Sequence, residues 1–391
     1  MHALSLILGL FAIGVVLLDA FETMILPRRA SGKIRLTRLF YIVTWRPWRA
    51  VASRIRDVRM RETAYSFYGP LSLLLLIATW ACGLVLGFGF LFYGLGASLH
   101  DAVRLHGLWT CIYFSGTTLF TLGLGDVVPV SHWARSLVIV EAGMGLGFVA
   151  VVIGYLPVLY GSFSHREVSI ALLDARAGSP PTATELLRRH TFDGGAEALS
   201  LLMAEWERWA AELLESHISY PLLCYFRSQH DNQSWLSALT AMLDTTALLL
   251  SVVENGSERQ AQLTFAMARH AAVDLLKVFG LPAPACQTER LSADDFRQLC
   301  ASLEEAGYRI HLEEPQTALL RKLRWMYEGQ VASLSDFLCM PLPPFYSGTA
   351  RRDTWRLVGN LLDLYASPTE EPPEYKAERS REIFSEEPHP F

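Results

Sequence analysis

Residues 121–126 form the run Thr-Leu-Gly-Leu-Gly-Asp, whose main-chain oxygens could coordinate a cation. Glycine enters φ/ψ regions that other residues avoid, so two glycines at alternate positions let successive carbonyl groups face one axis. Carbonyl oxygens arranged in this way can replace the water around a bare ion. The run can do this chemistry only if neighbouring elements hold it in that geometry.

The segment before this run, residues 108–120, is apolar and rich in aromatic side chains. It has room for about three to four helical turns. A helix that crosses a bilayer needs about 20 apolar residues, so this one is too short and is predicted to be re-entrant. Irregular backbone after it is tolerated at membrane depth where it lines water or is buried in protein. The partly negative C-terminal end of the helix would favour cations.

Two longer apolar segments flank the short helix and the run. Residues 70–95 are rich in leucine and carry no charge, and residues 134–160 are almost wholly apolar. Each is longer than the roughly 20 residues that span a bilayer. The sequence therefore predicts a spanning helix, a short re-entrant helix, the glycine run and a second spanning helix, in that order.

This order and the run itself resemble the potassium channel family, whose selectivity filter usually reads Thr-Val-Gly-Tyr-Gly. In that family the filter is similarly followed by Asp, two residues and Pro, as at residues 126–129 here. The resemblance covers residues 70–160. It implies an all-α membrane protein with the potassium-channel pore module, which consists of an outer helix, a pore helix, the filter and an inner helix.

The resemblance also implies a role for each residue of the run. Main-chain oxygens of four residues would bind K⁺: Thr121, Leu122, Gly123 and Leu124. Gly125 would complete the filter, and Asp126 would shape its outer mouth. Because the chain has a single pore loop, as prokaryotic-type channels do, four copies must close the ring and a homotetramer is expected. No cofactor is expected besides K⁺ as the permeant ion.

Leu124 departs from the usual filter, since it stands where the family has Tyr. A leucine side chain has no hydroxyl with which to brace the filter from behind. Leucine at this place is similar to the second pore loop of two-pore-domain potassium channels, which reads Thr-Ile-Gly-Leu-Gly-Asp. Potassium selectivity therefore remains the expectation, and a weakly selective cation channel is the alternative.

Three residues of the predicted inner helix are candidates for gating or filter support: Glu141, Gly145 and Pro157. An acid at membrane depth is costly and by default points to a functional site facing protein or water. Glu141 is therefore expected behind the filter or around the cavity, unless it is solvated near the outer interface. Proline bends a helix by removing a donor. Gly145 or Pro157 is thus a candidate hinge, although glycine is also simply common in membrane helices.

The N-terminal region sets the predicted topology. Residues 1–26 lack the basic start and the cleavage site of a signal peptide, so they predict a retained transmembrane helix, with a cleaved signal as the alternative. Residues 28–61 hold eleven Lys and Arg against one acid, an excess typical of cytoplasmic loops. The N-terminus is therefore expected outside a plasma (inner) membrane, with the C-terminal region cytoplasmic. The basic segment, with Trp45 and Trp48, either lies on anionic lipid or only sets the topology.

The whole chain is predicted to have five parts. They are an N-terminal transmembrane helix (1–26), a basic cytoplasmic linker (27–69), the pore module (70–162), a cytoplasmic all-helical domain (163–366) and an acidic, Pro-rich tail predicted to be disordered (367–391). Cytoplasmic helices are predicted near residues 182–190, 195–216, 233–254, 257–279, 292–306 and 351–365. A single apolar stripe predicts one further helix through residues 319–338.

Two features of the cytoplasmic half leave alternatives open. Residues 236–253 are apolar enough to suggest a fourth span, but Asp244 at their centre favours a core helix of a bundle. A polar-aromatic cluster either lines a pocket for an unknown regulatory ligand or forms a packed helix junction. Its members are His217, Tyr220, Tyr225, Arg227, His230 and Asp231.

The motifs exclude several function classes. There is no Gly-x-Gly-x-x-Gly, so a nucleotide-binding regulatory domain is not indicated. No Cys-x-x-Cys and no catalytic constellation appear, so neither a zinc site nor an enzyme is expected, and no nucleic-acid partner is indicated. Beside the channel interpretation stands one of another class, a membrane-anchored signalling or interaction protein with a vestigial pore.

Overall fold

The computed structural model describes residues 2–26, 36–96, 99–101, 107–228, 232–254, 258–282 and 290–346. The helices in these ranges are α1 His2–Met24, α2 Leu36–Ala52, α3 Val58–Gly94, α4 Leu108–Leu119, α5 His132–Ala177, α6 Ala183–Arg188, α7 Gly195–Ser219, α8 Trp235–Leu249, α9 Glu258–Phe279, α10 Ala293–Glu305, α11 Glu314–Trp325 and α12 Glu328–Leu338. A short antiparallel ribbon, β1 Leu99–Asp101 with β2 Val127–Pro129, accompanies this all-α architecture. Helices α1, α3 and α5 are long and apolar enough to cross a membrane.

Helix α1, outside the pore module, packs along α3 through glycines on both helices. A Cβ atom at Gly87 would come 2.6 Å from the Ile13 Cγ1 atom, and one at Gly9 would come 2.6 Å from the Gly87 carbonyl oxygen. Small residues of this kind let helices approach closely in lipid, where no hydrophobic force drives them together. The extra N-terminal helix α1 therefore packs tightly along the outer helix α3.

Asp19 on α1 is buried and joins three helices. Its carboxylate accepts hydrogen bonds from Trp80 Nε1 on α3 at 2.9 Å and from the Thr37 backbone nitrogen at 3.1 Å. The Thr37 hydroxyl donates a further bond of 2.5 Å. Thr37 lies in the first turn of α2, where free backbone donors favour a carboxylate. An acid in a membrane helix is tolerated here because donors surround it.

Helix α3 begins at Val58, twelve residues before the start predicted at Pro70. Asp57 caps it by accepting from the Met60 backbone nitrogen at 2.9 Å. Pro70 lies inside the helix, where it removes one backbone hydrogen bond. The turns before it bury Tyr65 and Tyr68, and this burial offsets the loss. The division predicted between residues 69 and 70 thus falls within a single helix.

Helix α5 extends well beyond the predicted inner helix of residues 134–160. At about 1.5 Å per residue its 46 residues reach about 69 Å, far more than the roughly 30 Å of a hydrocarbon core. Ser131 caps its start, and Gly178, with φ of 80°, follows its end. No breaker interrupts the polar continuation, so the division predicted between residues 162 and 163 also falls within one helix.

Helix α2 carries the basic segment but turns its aromatic residues into the protein. Trp45 is buried, and its indole nitrogen donates to the Phe337 carbonyl oxygen at 3.0 Å. The Trp48 indole donates to the Ala64 carbonyl oxygen at 3.0 Å. Trp45 is therefore not a lipid-facing anchor, because it packs against Phe337 of α12 and Tyr225. Contact of the basic side chains with anionic lipid stays a prediction.

The helical bundle, α6–α12 with the end of α5, has α8 at its centre. Every residue of α8 is buried, which confirms the core-helix interpretation of residues 236–253, although the helix ends at Leu249. The other described helices of the bundle, apart from α11 and α12, begin and end close to their predicted bounds, and Ser292 caps α10 by accepting from the Asp295 backbone nitrogen. Residues 351–365 and 367–391 lie outside the described residues.

The prediction of one helix through residues 319–338 is wrong. Helix α11 ends at Trp325 and α12 begins at Glu328. The chain breaks there because Tyr327 turns inward and donates a hydrogen bond of 2.6 Å to the buried Asp244 carboxylate. No glycine or proline marks this break, so the apolar stripe runs across it without interruption.

Candidate ion pathway

The run at residues 121–126 follows the C-terminal end of α4 directly. Thr121, Gly123 and Gly125 have φ of 57°, 55° and 79°, while Leu122 and Leu124 between them keep negative φ. Alternating signs of φ turn successive peptide groups to the same side, and glycine makes this inexpensive at two of the three positions. Thr121 adopts the strained conformation without that help, which is a mark of functional sites.

The loop is tied to the helix that precedes it and is open on its other side. The Leu122 backbone nitrogen donates to the Thr117 carbonyl oxygen at 2.8 Å. The side chains of Leu122 and Leu124 are 62% and 64% exposed. In one copy of the chain, the described residues therefore leave this side of the loop largely uncovered.

Asp126 is braced from the pore helix. The Tyr113 hydroxyl on α4 donates to an Asp126 carboxylate oxygen at 2.8 Å. Arg135, in the first turn of α5, donates from Nε to the Pro129 carbonyl oxygen at 3.2 Å. These two bonds hold the end of the run and the segment that follows it against α4 and α5. A role of Asp126 at the outer mouth stays a prediction.

Gly145 supports the pore helix by its lack of a side chain. A Cβ atom at Gly145 would overlap the Leu119 carbonyl oxygen and come 3.0 Å from the carbonyl carbon. Gly143 and Gly147, on the same helix, have no neighbouring atom within 4 Å of such a Cβ. The structure therefore gives Gly145 a packing role at the end of α4. Helix α5 also continues through Pro157, and a hinge there stays a prediction.

Glu141 lies behind the pore helix and is completely buried. Its Oε1 atom is 2.5 Å from the Ser115 hydroxyl on α4, and that hydroxyl is 2.9 Å from the Val85 carbonyl oxygen on α3. The alternative of a solvated acid at the outer interface is therefore wrong. Glu141 joins the inner, pore and outer helices, which the apolar sequence around it does not indicate.

Arg166 connects α5 to the bundle and was missed by sequence reasoning. It is almost fully buried, and its guanidinium donates to the carbonyl oxygens of Leu223 and Phe226 at 3.0 Å each. Its Nη1 atom is also 3.1 Å from His217 Nε2, and Glu167 pairs with it at 2.8 Å. The available signal was an arginine in the first polar turns after a long apolar span.

The segment around these carbonyl groups packs on three membrane-proximal helices. Tyr225 stacks on Tyr41 of α2 with ring centroids 5.4 Å apart, and it meets Tyr68 of α3 edge-on at 5.3 Å. Tyr220 contacts Tyr155 of α5 in the same edge-on manner at 5.6 Å. The bundle therefore contacts α2, α3 and α5 through the turn at residues 220–225.

The polar-aromatic cluster is a packed helix junction among its described members. His217 is completely buried, and burial together with the Arg166 cation lowers its pKa well below the ordinary value. Arg227 donates to the Leu338 and Cys339 carbonyl oxygens at 2.7 and 3.0 Å and lies over the Tyr65 ring. The junction alternative is confirmed for these residues, while His230 and Asp231 lie outside the described residues.

Comparison with known proteins agrees with this geometry. The family model described as "Ion channel" matches residues 80–159, which include the C-terminal part of α3, all of α4, the run and the apolar half of α5. The chain is also 23% identical over 332 residues to the uncharacterized membrane protein YdjJ of Bacillus subtilis, covering 78% of this chain and 94% of that relative. No solved structure matches significantly. Residues 80–159 of this membrane protein are therefore similar to a two-helix ion channel domain.

Proposed function

We propose that the protein is a potassium-selective channel subunit that conducts K⁺ passively through a homotetrameric pore. The observation that carries this proposal is the alternating backbone handedness at Thr121, Gly123 and Gly125, directly after a re-entrant-length helix. Four such loops around one axis would surround a dehydrated ion with main-chain oxygens. The resemblance of residues 121–126 to a potassium filter supports K⁺ as that ion.

In this pore the carbonyl groups of Thr121, Leu122, Gly123 and Leu124 form consecutive ion sites. The Thr121 hydroxyl lies at the inner end, and Asp126 shapes the outer mouth through its bond from Tyr113. Conduction requires several adjacent sites of moderate affinity, so that entering ions displace those ahead of them.

The orientation follows from the basic segment. Eleven Lys and Arg within residues 28–61 favour the cytoplasmic side of a plasma membrane and contact with anionic lipid. The N-terminus then lies outside and the bundle is cytoplasmic. Because α5 is continuous from the pore into the bundle, a regulatory ligand of the bundle would act on the pore through this helix. Such a ligand shifts a gate only by its differential affinity for the open and closed states.

Flux of K⁺ into proteoliposomes tests the proposal. We expect wild-type protein to carry K⁺, and Gly123→Ala to abolish the flux because alanine at φ of 55° is strained. Gly147→Ala is the matched control, since no atom lies within 4 Å of the added methyl group. Equal flux in Gly123→Ala and wild type would contradict the pore. A wild type that forms tetramers but is impermeable would favour the signalling protein with a vestigial pore.

A weakly selective cation channel is the second candidate, and Leu124 favours it. Its side chain is 64% exposed and cannot donate the hydrogen bond that tyrosine supplies at this place. Reversal potentials in mixed Na⁺ and K⁺ separate the two candidates. A reversal potential that follows the K⁺ gradient supports potassium selectivity. One near zero in equal total cation, restored toward the K⁺ value by Leu124→Tyr, supports the weakly selective channel.

A further inference from the structure

The Ser115 hydroxyl has two oxygen neighbours at hydrogen-bond distance. Glu141 Oε1 lies at 2.5 Å and the Val85 carbonyl oxygen at 2.9 Å. A serine hydroxyl carries a single hydrogen and can donate it to only one of them. A carbonyl oxygen can only accept, so Ser115 must donate to Val85 if both bonds exist. The second hydrogen must then come from Glu141.

The other carboxyl oxygen of Glu141 leads to the same conclusion. Glu141 is fully buried, and its Oε2 atom has no hydrogen-bond partner among the described residues. An ionised carboxylate buried with one donor is strongly disfavoured, whereas a neutral acid tolerates one unpaired oxygen at much lower cost. The contrast with Asp19 is direct, because that buried acid accepts from Trp80 and twice from Thr37.

We infer that Glu141 is a neutral carboxylic acid whose proton positions the pore helix. Glu141 on α5 donates to the Ser115 hydroxyl on α4, and Ser115 donates to the Val85 carbonyl oxygen on α3. This inference rests on the proposed channel function. It makes Glu141 a positioning residue, because it acts on the filter through the helix that carries it.

In alkaline solution Glu141 loses this proton, and the chain of hydrogen bonds breaks. Ser115 then turns its only hydrogen to the carboxylate and releases Val85, and a negative charge remains behind the pore helix. The filter follows that helix without a break, so conduction falls. Because only a proton and hydrogen bonds change, conduction recovers when the proton returns.

Other titratable groups on the packed elements must be separated from this effect. They are Cys82 on α3, Cys111 and Tyr113 on α4, and His132, Arg135 and Tyr155 on α5, with Asp126 in the loop. Tyr113 is the main competitor, because its bond to Asp126 would also be lost in alkali. The variants below leave all of these groups in place.

The test compares K⁺ flux of wild type, Glu141→Gln and Glu141→Ala from mildly acidic to alkaline pH. A glutamine keeps volume and donates from its amide to Ser115 without a titrating proton. We expect Glu141→Gln to conduct like wild type at neutral pH and to keep its flux in alkali. Wild-type flux should fall about tenfold there, which corresponds to about 1.4 kcal/mol. Glu141→Ala should conduct poorly at every pH.

Two flux outcomes would overturn the inference. The first is an equal alkaline loss in wild type and Glu141→Gln, which would assign the titration to another group such as Tyr113. The second is a Glu141→Gln variant that folds but does not conduct at neutral pH, which would show that the carboxylate form is the functional one.

Infrared spectroscopy of the purified full-length protein gives a readout that does not depend on conduction. A protonated carboxyl group has a carbonyl stretch distinct from that of a carboxylate. We expect a band at neutral pH that disappears in alkali and is missing from Glu141→Gln. Its absence from wild type would overturn the inference even if the protein conducts. An impermeable wild type that shows the band would instead defeat only the proposed channel function.

Discussion

Helices α5 and α8 are both strongly apolar, yet the chain covers them in opposite ways. All fifteen residues of α8 are buried within the bundle. In the most apolar window of α5, only 11% of the residues are buried. The side chains of α8 pack on the same chain, whereas the described residues of the chain leave most side chains in that window of α5 uncovered. Apolar composition thus specifies that a surface will be covered, and does not specify what covers it.

The same pair shows two ways to bury an acid. Asp244 on α8 accepts from both ends of the Arg290 guanidinium, at 2.6 and 3.2 Å, and from Tyr327. Glu141 on α5 contacts a single hydroxyl group, that of Ser115. The charge of Asp244 is therefore compensated by hydrogen-bond donors, whereas Glu141 is buried as the neutral, protonated acid. Variants in the bundle and in the pore test this difference.

Removal of Asp244 should have the largest effect. Asp244→Ala leaves Arg290 and Tyr327 buried without their partner, which typically costs about 3–5 kcal/mol. Chemical unfolding of the full-length protein in detergent, followed by tryptophan fluorescence, measures the loss. Asp294→Ala removes an exposed acid that pairs with Arg297 and should change nothing measurable. Similar stability of the two variants would show that the buried network contributes little.

Gly145→Ala should have the next largest effect, and it should fall on the pore. The added methyl group overlaps the Leu119 carbonyl oxygen, so α4 must shift against α5. Overpacking of this kind costs about 1–3 kcal/mol. We expect lower thermal stability in detergent together with reduced K⁺ flux. Gly143→Ala, which meets no atom within 4 Å, provides the comparison. Unchanged flux in Gly145→Ala would remove the packing role.

The smallest effect concerns the junction between the two regions. Burial and the Arg166 cation lower the pKa of His217, so the unfolded chain takes up a proton that the folded chain refuses. Stability should be full above the unfolded value of about 6.5 and fall below it by up to about 1.4 kcal/mol per pH unit. Unfolding midpoints measured against pH should therefore decline in acid.

His217→Gln should flatten that decline, since glutamine can still accept from Arg166. It should not remove the decline entirely, because burial also lowers the pKa of His190. An identical acid dependence in His217→Gln and wild type would mean that His217 does not titrate on unfolding.

Sequence reasoning succeeded where local signals are strong. The bounds of α4 and the start of α10 at Ser292 follow from apolar length and capping chemistry, which act over a few residues. It failed where partners are distant along the chain. Tyr327 breaks a regular apolar stripe because it bonds Asp244, 83 positions earlier. Trp45 is buried and does not face lipid, because its indole nitrogen donates to the Phe337 carbonyl oxygen, 292 positions later.

The amino-acid sequence by itself determined the spans, the short helix and the glycine run, since backbone conformation and apolar length are properties of neighbouring residues. Only the tertiary structure decided what α8 and α5 pack against, why Gly145 lacks a side chain, and which oxygen faces the Glu141 carboxyl group. Those outcomes depend on atoms that folding brings together from distant parts of the chain. A buried hydrogen bond, and the proton it requires, exists only once both partners are in place.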